Sequence, residues 1–320
     1  FTGRRQTCGV RSNLLMKSLK TPLRYPGGKS RACTKMDQYF PDLRNYNEYR
    51  EPFLGGGSVA LHVTKKYPDI KVWVNDLYGP LYNFWIQLRD NADEITRQLQ
   101  ELKSRYPDRG SARGLFLEAK DFLDNTGDAP EIRYSLHGDR EPVYSAVAFY
   151  VVNKCSFSGL TESSSFSAQA SDSNFSMRGI LKLPFYSRLI QNWTITNYSY
   201  EMMLETSPKT FIYLDPPYDI KDNLYGRKGD MHKKFDHDLF AKRMDFTDAH
   251  CMVSYNSDQL VKDRFKGWNA GEFDLTYTMR SVGEYMREQK ERKELLLMNY
   301  EKEKTVENLG EGTRGEAGVQ

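Results

Sequence analysis

One short segment, Asp215-Pro216-Pro217-Tyr218, combines side chains that can bind and present an amine. It follows the apolar run TFIYL, which predicts a strand. Two consecutive prolines have no N–H groups, so they end the pairing of that strand and leave the Asp215 carboxylate and nearby carbonyls as acceptors. Such acceptors suit the two N–H groups of an exocyclic amine, while Tyr218 stacks on the ring that carries it. The plainer alternative is a Pro-Pro stop at the end of a strand.

A second segment, EPFLGGGSVAL, is typical of a turn that approaches a nucleoside closely. Gly55 and Gly57 let the backbone turn sharply at the start of a helix, and Ala60 stands at the third position of this fingerprint. Asp76 ends the next strand run, KVWVND, 21 residues after Gly55. A carboxylate at that place accepts hydrogen bonds from ribose hydroxyls. Together these residues predict a nucleoside site, and they leave open which nucleoside binds.

A third segment, RYPGGKSR, is only superficially similar to a phosphate-binding loop. The Walker spacing needs a glycine five residues before Gly28, where this chain has Leu23. The spacing therefore excludes a P-loop NTPase. By itself the segment favours a Pro-Gly turn beside an exposed lysine.

Composition narrows the class of protein. The 320 residues are 39% hydrophobic, 28% charged and 13% aromatic, which is typical of a folded globular chain. The longest apolar run, Ala146–Val152, is far shorter than the ~20 residues of a membrane helix, so a cytoplasmic protein is expected. The four cysteines have no paired spacing, and His232 and His237 have no partner ligands at a regular interval. Neither a disulfide framework nor a metal site is therefore expected.

Charge is distributed unevenly along the chain. Residues 1–36 contain nine Lys and Arg residues and no acid, so the remainder has a net charge of −6. A basic segment of this kind attracts polyanions, although many such segments are merely solvated. Charge alone leaves nucleic-acid binding open.

Seven β-rich runs alternate with helical stretches, which predicts an α/β fold. More than a hundred residues separate the second run from the third. Within that interval Leu81, Phe84, Trp85 and Leu88 have helical spacing, so an inserted, mostly helical domain is predicted. The Ser- and Gly-rich stretch SFSGLTESSSFSAQASDSNFSMRG is interpreted as a loop. The predicted strand runs are EYREPF, KVWVND, WTITNYS, TFIYLDPPY, HCMVSYN, FDLTYTM and KELLLMNY.

Four motifs in this order, RYPGGKSR, EPFLGGGSV, VND and DPPY, with a long insertion before the last, resemble the D12 class of DNA adenine-N6 methyltransferases, the Dam family. The similarity runs from about Thr21 to Tyr300. It implies a Rossmann-like, S-adenosylmethionine-dependent methyltransferase sheet with an inserted, mostly helical target-recognition domain. On this resemblance the residues that hold S-adenosylmethionine are Tyr25, Lys29, Phe53, Gly55, Gly57, Asp76 and Asp215.

The resemblance also divides the chain. The catalytic domain is expected to be discontinuous, over residues 20–80 and 191–300, and the target-recognition domain to occupy residues 81–190. Residues 1–19 are expected to form a basic, disordered leader, and residues 301–320 a disordered tail rich in Glu and Gly.

The activity implied is site-specific methyl transfer from S-adenosylmethionine to adenine N6 in double-stranded DNA. An adenine inside a duplex cannot reach such a pocket, so it must be flipped out of the stack. Asp215 matches the acid that links cofactor and target amine, within the catalytic segment Asp215, Pro216, Pro217 and Tyr218. The sulfonium is already a strong methyl donor, so neither a metal nor a covalent nucleophile is required.

Three alternatives remain at this point. Cytosine N4 is a second possible acceptor of the methyl group, because the same hydrogen-bond acceptors suit either exocyclic amine. An NAD-dependent oxidoreductase would use the glycine turn and Asp76 but leaves the DPPY segment unexplained. A DNA-binding module without activity would require a vestigial cofactor pocket.

The segment NKCSFSGL resembles the start of the family's DNA-reading loop. Phe157 matches the aromatic residue that the family inserts near the flipped base. Members that methylate GATC have an arginine two residues after the Gly-Leu pair of this loop, whereas Glu162 stands here, and an acid accepts from cytosine. The recognised sequence is therefore expected to differ from GATC. Separately, the Lys and Arg residues that follow DPPY are expected to contact DNA phosphates. The residues expected to contact DNA are Lys154, Phe157, Leu160, Glu162, Arg227 and Lys228.

Overall fold

The computed structural model contains one seven-stranded sheet with the strand order β3-β2-β1-β4-β5-β7-β6. Strands β1 to β5 are parallel to one another, and β7 runs antiparallel between β5 and β6. The structure describes residues 19–25, 27–126, 141–157, 159, 165–205, 209–217, 235–274 and 293–301. The strands are β1 Glu48–Glu51, β2 Lys71–Asn75, β3 Trp193–Thr196, β4 Thr210–Leu214, β5 His250–Asn256, β6 Asn269–Asp274 and β7 Lys293–Met298.

Helices connect the strands and cover the sheet. The described α-helices are α1 Cys33–Met36, α2 Ser58–Lys66, α3 Gly79–Asp90, α4 Ala92–Arg105, α5 Arg109–Thr126, α6 Glu141–Cys155, α7 Ala168–Ser173, α8 Met177–Ile180, α9 Leu183–Leu189, α10 His237–Met244 and α11 Gln259–Arg264. Short 3₁₀ turns lie at Lys29–Arg31, Leu43–Asn45 and Tyr200–Met203. None of the described helices combines the length and the hydropathy needed to cross a bilayer. The α/β architecture with a mostly parallel sheet is as predicted.

The register of the central strands brings three chain segments to one edge of the sheet. Glu51 pairs with Val74 of β2, and Arg50 pairs with Ile212 of β4. The segments that follow β1, β2 and β4 therefore leave the sheet side by side. The strand order reverses between β1 and β4, and in open α/β sheets ligands bind outside the carboxyl ends of the strands at such a point.

The long interval between β2 and β3 is mostly helical where it is described, as the sequence predicts. These helices share one buried cluster with the sheet. Trp85 of α3 contacts Trp193 of β3 with ring centroids 5.7 Å apart, and Phe84 contacts Phe149 of α6 at 5.6 Å. The helical interval thus packs on the sheet through a continuous core.

Two sequence predictions differ from the structure. Part of the Ser-rich stretch interpreted as a loop forms α7, because the Ser167 hydroxyl accepts the N–H of Ala170 at 3.2 Å and caps the helix. The strand predicted at FDLTYTM begins earlier, at Asn269, and β6 is described as far as Asp274. The start of the strand was missed because β6 is an edge strand whose described residues are mostly exposed, so it has few apolar side chains. The rest of the predicted run lies outside the described residues.

Cys33, Cys155 and Cys251 are buried free thiols. Cys8 lies outside the described residues.

Candidate active site

The turn between β1 and α2 is built from glycines with left-handed backbones. Gly55 has φ +49° and Gly57 has φ +66°, a region that glycine occupies without strain. A Cβ atom at Gly55 would lie 2.7 Å from the ring of Tyr25, and one at Gly57 would lie 2.7 Å from the ring of Trp85. Side chains at these two positions would therefore displace both aromatic rings, and the turn could not keep this shape.

Asp76 stands directly after β2 and faces this turn. One carboxylate oxygen accepts the N–H of Gly55 at 2.8 Å, and the other accepts the N–H of Tyr78 at 3.0 Å. Burial raises the pKa of Asp76 to about 6, although both backbone hydrogen bonds oppose that shift. Asp76 thus fixes the glycine turn while keeping further lone pairs for a ligand hydroxyl.

Asp215 follows β4 and is held by a buried lysine. The Lys29 ammonium lies 3.0 Å from both Asp215 carboxylate oxygens and 3.1 Å from Oε1 of Glu294 on β7. Lys29 is 3% exposed, and the Glu294 side chain is inaccessible to solvent. The ammonium therefore joins the RYPGGKSR segment to the carboxyl end of β4.

A pair of hydroxyl groups also contacts Asp215. The Ser254 hydroxyl of β5 donates to Oδ1 of Asp215 at 2.8 Å, and the Tyr213 hydroxyl lies 2.8 Å from that of Ser254. Ser254 and Tyr213 are both buried. Together with Lys29 they fix the position of the Asp215 carboxylate, whose side chain remains 23% exposed.

Glu51, the last residue of β1, is a buried acid on the same pocket wall. Its Oε2 accepts the Tyr49 hydroxyl at 2.6 Å. Burial raises the pKa of Glu51 well above its ordinary value, and the neighbouring carboxylates of Asp215 and Asp76 raise it further.

These groups open into one pocket of about 590 Å³. One side is aromatic: the ring of Phe53 lies 5.4 Å from that of Tyr200 and 5.8 Å from that of Phe235. The predicted site residues that line the pocket are Tyr25, Lys29, Phe53, Gly55, Gly57, Asp76, Asp215, Pro216 and Pro217. Every predicted cofactor position therefore lies around the same space.

The NKCSFSGL segment borders this pocket through Asn153 and Gly159. The Asn153 side chain donates to the carbonyls of Arg24 at 2.7 Å and of Gly159 at 2.9 Å, and it accepts the N–H of Arg24 at 2.9 Å. Phe157, between them, is 50% exposed. Asn153 thus joins this segment to the first residue of RYPGGKSR.

Lys154 is largely buried, and its ammonium lies 5.3 Å from the ring centroid of Tyr150. Burial, together with the nearby Arg24 guanidinium, lowers the pKa of Lys154 to about 8. Its predicted contact with DNA stays a prediction. The other predicted residues Tyr218, Leu160, Glu162, Arg227 and Lys228 lie outside the described residues.

Sequence reasoning missed Glu51, Ser254, Tyr213 and Glu294. The sequence could have indicated two of them, because Glu51 and Glu294 are acids within runs that otherwise predict buried strands. Nothing comparable distinguishes a serine or a tyrosine in a strand. Within the described ranges, no group of three or more His, Cys, Asp or Glu side chains is arranged to hold a metal ion.

Comparison with known proteins places this chain in a family. Residues 25–279 match the family model described as D12 class N6 adenine-specific DNA methyltransferase. The Type II methyltransferase M.MjaIII of Methanocaldococcus jannaschii is 24% identical over 301 residues, which cover 88% of this chain and 99% of that protein. The Type II methyltransferase M1.LlaDCHI of Lactococcus lactis subsp. cremoris is 24% identical over 83% of this chain and 92% of its own length. M.CviBI of Paramecium bursaria Chlorella virus NC1A, also a Type II methyltransferase, is 20% identical over 88% of this chain and all of its own length. The chain belongs to the D12 class of N6 adenine-specific DNA methyltransferases.

Proposed function

We propose that this methyltransferase uses S-adenosylmethionine as the methyl donor, acts on adenine N6 in duplex DNA, and flips the target adenine out of the helix. The observation that carries the proposal is the position of Asp215. Its carboxylate is fixed by Lys29 and Ser254 at a strand end, and it opens into the same pocket as the glycine turn.

The residues present fit S-adenosylmethionine. The pocket volume of about 590 Å³ lies within the roughly 300–1,000 Å³ of small-molecule sites. The adenosine half needs a close backbone approach and a ribose acceptor, and the turn at Gly55 with Asp76 supplies both. The methionine half carries two cationic groups and one carboxylate, and the carboxylates of Glu51 and Asp215 suit an excess of positive charge.

S-adenosylmethionine, when bound, supplies a methyl group on a positively charged sulfur, which is an electrophile for an amine. The protein then has to present the amine. Asp215 accepts an N–H of the adenine amino group and directs the nitrogen lone pair into the pocket. Lys29 and Ser254 keep that acceptor in one orientation, so less reorganisation is required during transfer.

The pocket lies at the end of a sheet, where an adenine stacked in a duplex cannot reach it, so the adenine must leave the stack. We propose that Phe157 occupies the gap left by the flipped base, because its ring is half exposed on a segment that borders the pocket. The helices between β2 and β3, within residues 81–190, would then present the target-recognition surface.

Three experiments test these proposals. Calorimetry with S-adenosylmethionine and, separately, with NAD should show binding of the first alone, and the reverse result would contradict the assigned donor. Methylation sequencing of DNA from a host that expresses the protein identifies the target sequence. A duplex with 2-aminopurine at the target adenine should then become fluorescent on binding, and an unchanged signal would contradict base flipping.

A further inference from the structure

The pocket is lined by more acidic than basic side chains among the described residues. Among the described residues that line it, Lys29 is the only Lys or Arg, and it is already paired with Asp215 and Glu294. The carboxylates of Glu51 and Asp76 also face the pocket, and among the described residues no Lys or Arg lies within hydrogen-bond distance of either. A buried anion of this kind is unfavourable, so such a group takes up a proton or binds a cation.

Among these acids, Glu51 has the strongest reason to be protonated or to bind a cation. It is 2% exposed, whereas Asp215 keeps a partly exposed side chain and an ion pair. The hydroxyl of Tyr49 and the N–H of Ala60 donate to Glu51 and favour its charged form. Burial and two neighbouring carboxylates act in the opposite direction and raise its pKa well above the ordinary value. Among the described residues, the titratable groups that face Glu51 are Tyr49 on β1, Cys33 on α1, Asp76 after β2 and Asp215 after β4.

We propose that Glu51 is protonated in the free pocket and loses this proton when the cationic methyl donor binds, so that the pocket distinguishes the sulfonium of the donor from the uncharged thioether of the product. The inference rests on the proposed function, since it assumes that S-adenosylmethionine is the donor. It assigns to Glu51 the selection between donor and product.

The charge balance of the reaction is consistent with this role. The S–CH₃ bond breaks and its electron pair stays on sulfur, which becomes a neutral thioether. The N6 lone pair forms the new N–CH₃ bond, and the proton that N6 loses passes to water. The pocket thereby loses the positive charge that kept Glu51 ionised, so Glu51 takes up a proton again and the product is held less tightly than the donor.

The consequence is a pH dependence that the two ligands do not share. Where donor binding releases one proton, its affinity rises by up to about tenfold per pH unit, because proton release and ligand binding are linked. The affinity of the thioether product, which leaves Glu51 protonated, changes little. Preference for the donor therefore increases with pH.

The test is calorimetry of the full chain without DNA, so that no turnover occurs. Binding heats of S-adenosylmethionine and S-adenosylhomocysteine are measured at about pH 6.5, below the usual α-amino pKa of ~7.7–8.0, in two buffers of different ionisation enthalpy. The difference between the buffers counts the protons released. About one proton is expected with the donor and close to none with the product.

Two variants assign the proton. Glu51→Gln should abolish proton release on binding of the donor. Glu272→Gln should preserve it, because Glu272 is an exposed acid of the edge strand β6 that pairs with Lys262. Equal proton counts for the two ligands in the unaltered protein would overturn the proposal, as would an unchanged count in Glu51→Gln. If Glu51→Gln does not fold, the comparison of ligands in the unaltered protein still decides. Failure of S-adenosylmethionine to bind at all would instead contradict the proposed donor.

Discussion

Asp215 is the side chain on which the proposed chemistry depends most directly. Asp215→Ala removes the acceptor for the target amine, and the methyl-transfer rate should fall by at least about a hundredfold, as for loss of a positioned acid or base. Affinity for DNA should change little, because phosphate contacts supply most of it. Asp69→Ala is the matched control, since Asp69 is an exposed acid that precedes β2 and so lies at the opposite end of the strands from Asp215. Transfer by Asp215→Ala within tenfold of the parent would refute this role.

The buried carboxyl group of Asp76 should make the free energy of unfolding depend on pH. Burial raises its pKa from 3.8 to about 6 in the folded state, so the unfolded chain ionises first as the pH rises. Its contribution to folding is therefore fully present below about pH 4 and is lost by about pH 6, a change of ~3 kcal/mol. Asp76→Asn should remove this dependence and leave a constant offset for the altered hydrogen bonds. Urea unfolding at several pH values would measure it, and parallel curves for parent and variant would show that Asp76 does not titrate in this range.

At the residue scale, the sequence predicted the groups at strand ends better than those inside strands. Asp76 and Asp215 each interrupt an apolar run, and Gly55 and Gly57 occur in an uninterrupted glycine triplet, so each has a local signal. Ser254 contributes only through a contact with Asp215, 39 residues away along the chain. Contacts of this kind depend on which strands become neighbours, and the sequence of one strand does not contain that information.

The turn that precedes α2 is the element most constrained by geometry. Gly57→Ala introduces a side chain at φ +66° and against Trp85, so the free energy of unfolding should fall by at least about 1–2 kcal/mol. Gly114→Ala is the matched control on α5, where no atom lies within 4 Å of a new Cβ. Because alanine favours a helix over glycine, Gly114→Ala should stabilise the chain by ~0.5–1 kcal/mol. Thermal unfolding would compare them, and equal effects would contradict the geometry of the turn.

At the element scale, buried strands were predicted well and exposed elements less well. Strands β4, β5 and β7 consist almost entirely of buried residues and are visible as apolar runs. Strand β6 lies at the edge of the sheet with most of its residues exposed, and α7 is a short helix started by a serine cap within a polar stretch. Both depend on backbone hydrogen bonds more than on apolar periodicity, which is why composition did not reveal them.

The shared core predicts that the sheet and the helices between β2 and β3 unfold together. Phe84→Ala removes a buried ring that contacts both α3 and α6, and it should lower the stability of the whole chain by ~3–5 kcal/mol. Phe246→Ala is a control, because Phe246 is 87% exposed. Calorimetry should give one transition for the parent and for both variants, displaced to lower temperature in Phe84→Ala alone. Two separate transitions would show that the helical interval is an independently folding domain.

Adenine N6 in DNA is the proposed acceptor of the methyl group of S-adenosylmethionine. The most direct test incubates the protein with unmethylated duplex DNA and S-adenosylmethionine whose methyl group carries deuterium, then hydrolyses the DNA and separates the nucleosides by mass spectrometry. The label should appear in N6-methyladenine with the parent protein and be absent with Asp215→Ala. Label in N4-methylcytosine would contradict the proposed acceptor. So would the absence of any labelled nucleoside in DNA that contains the target identified by methylation sequencing.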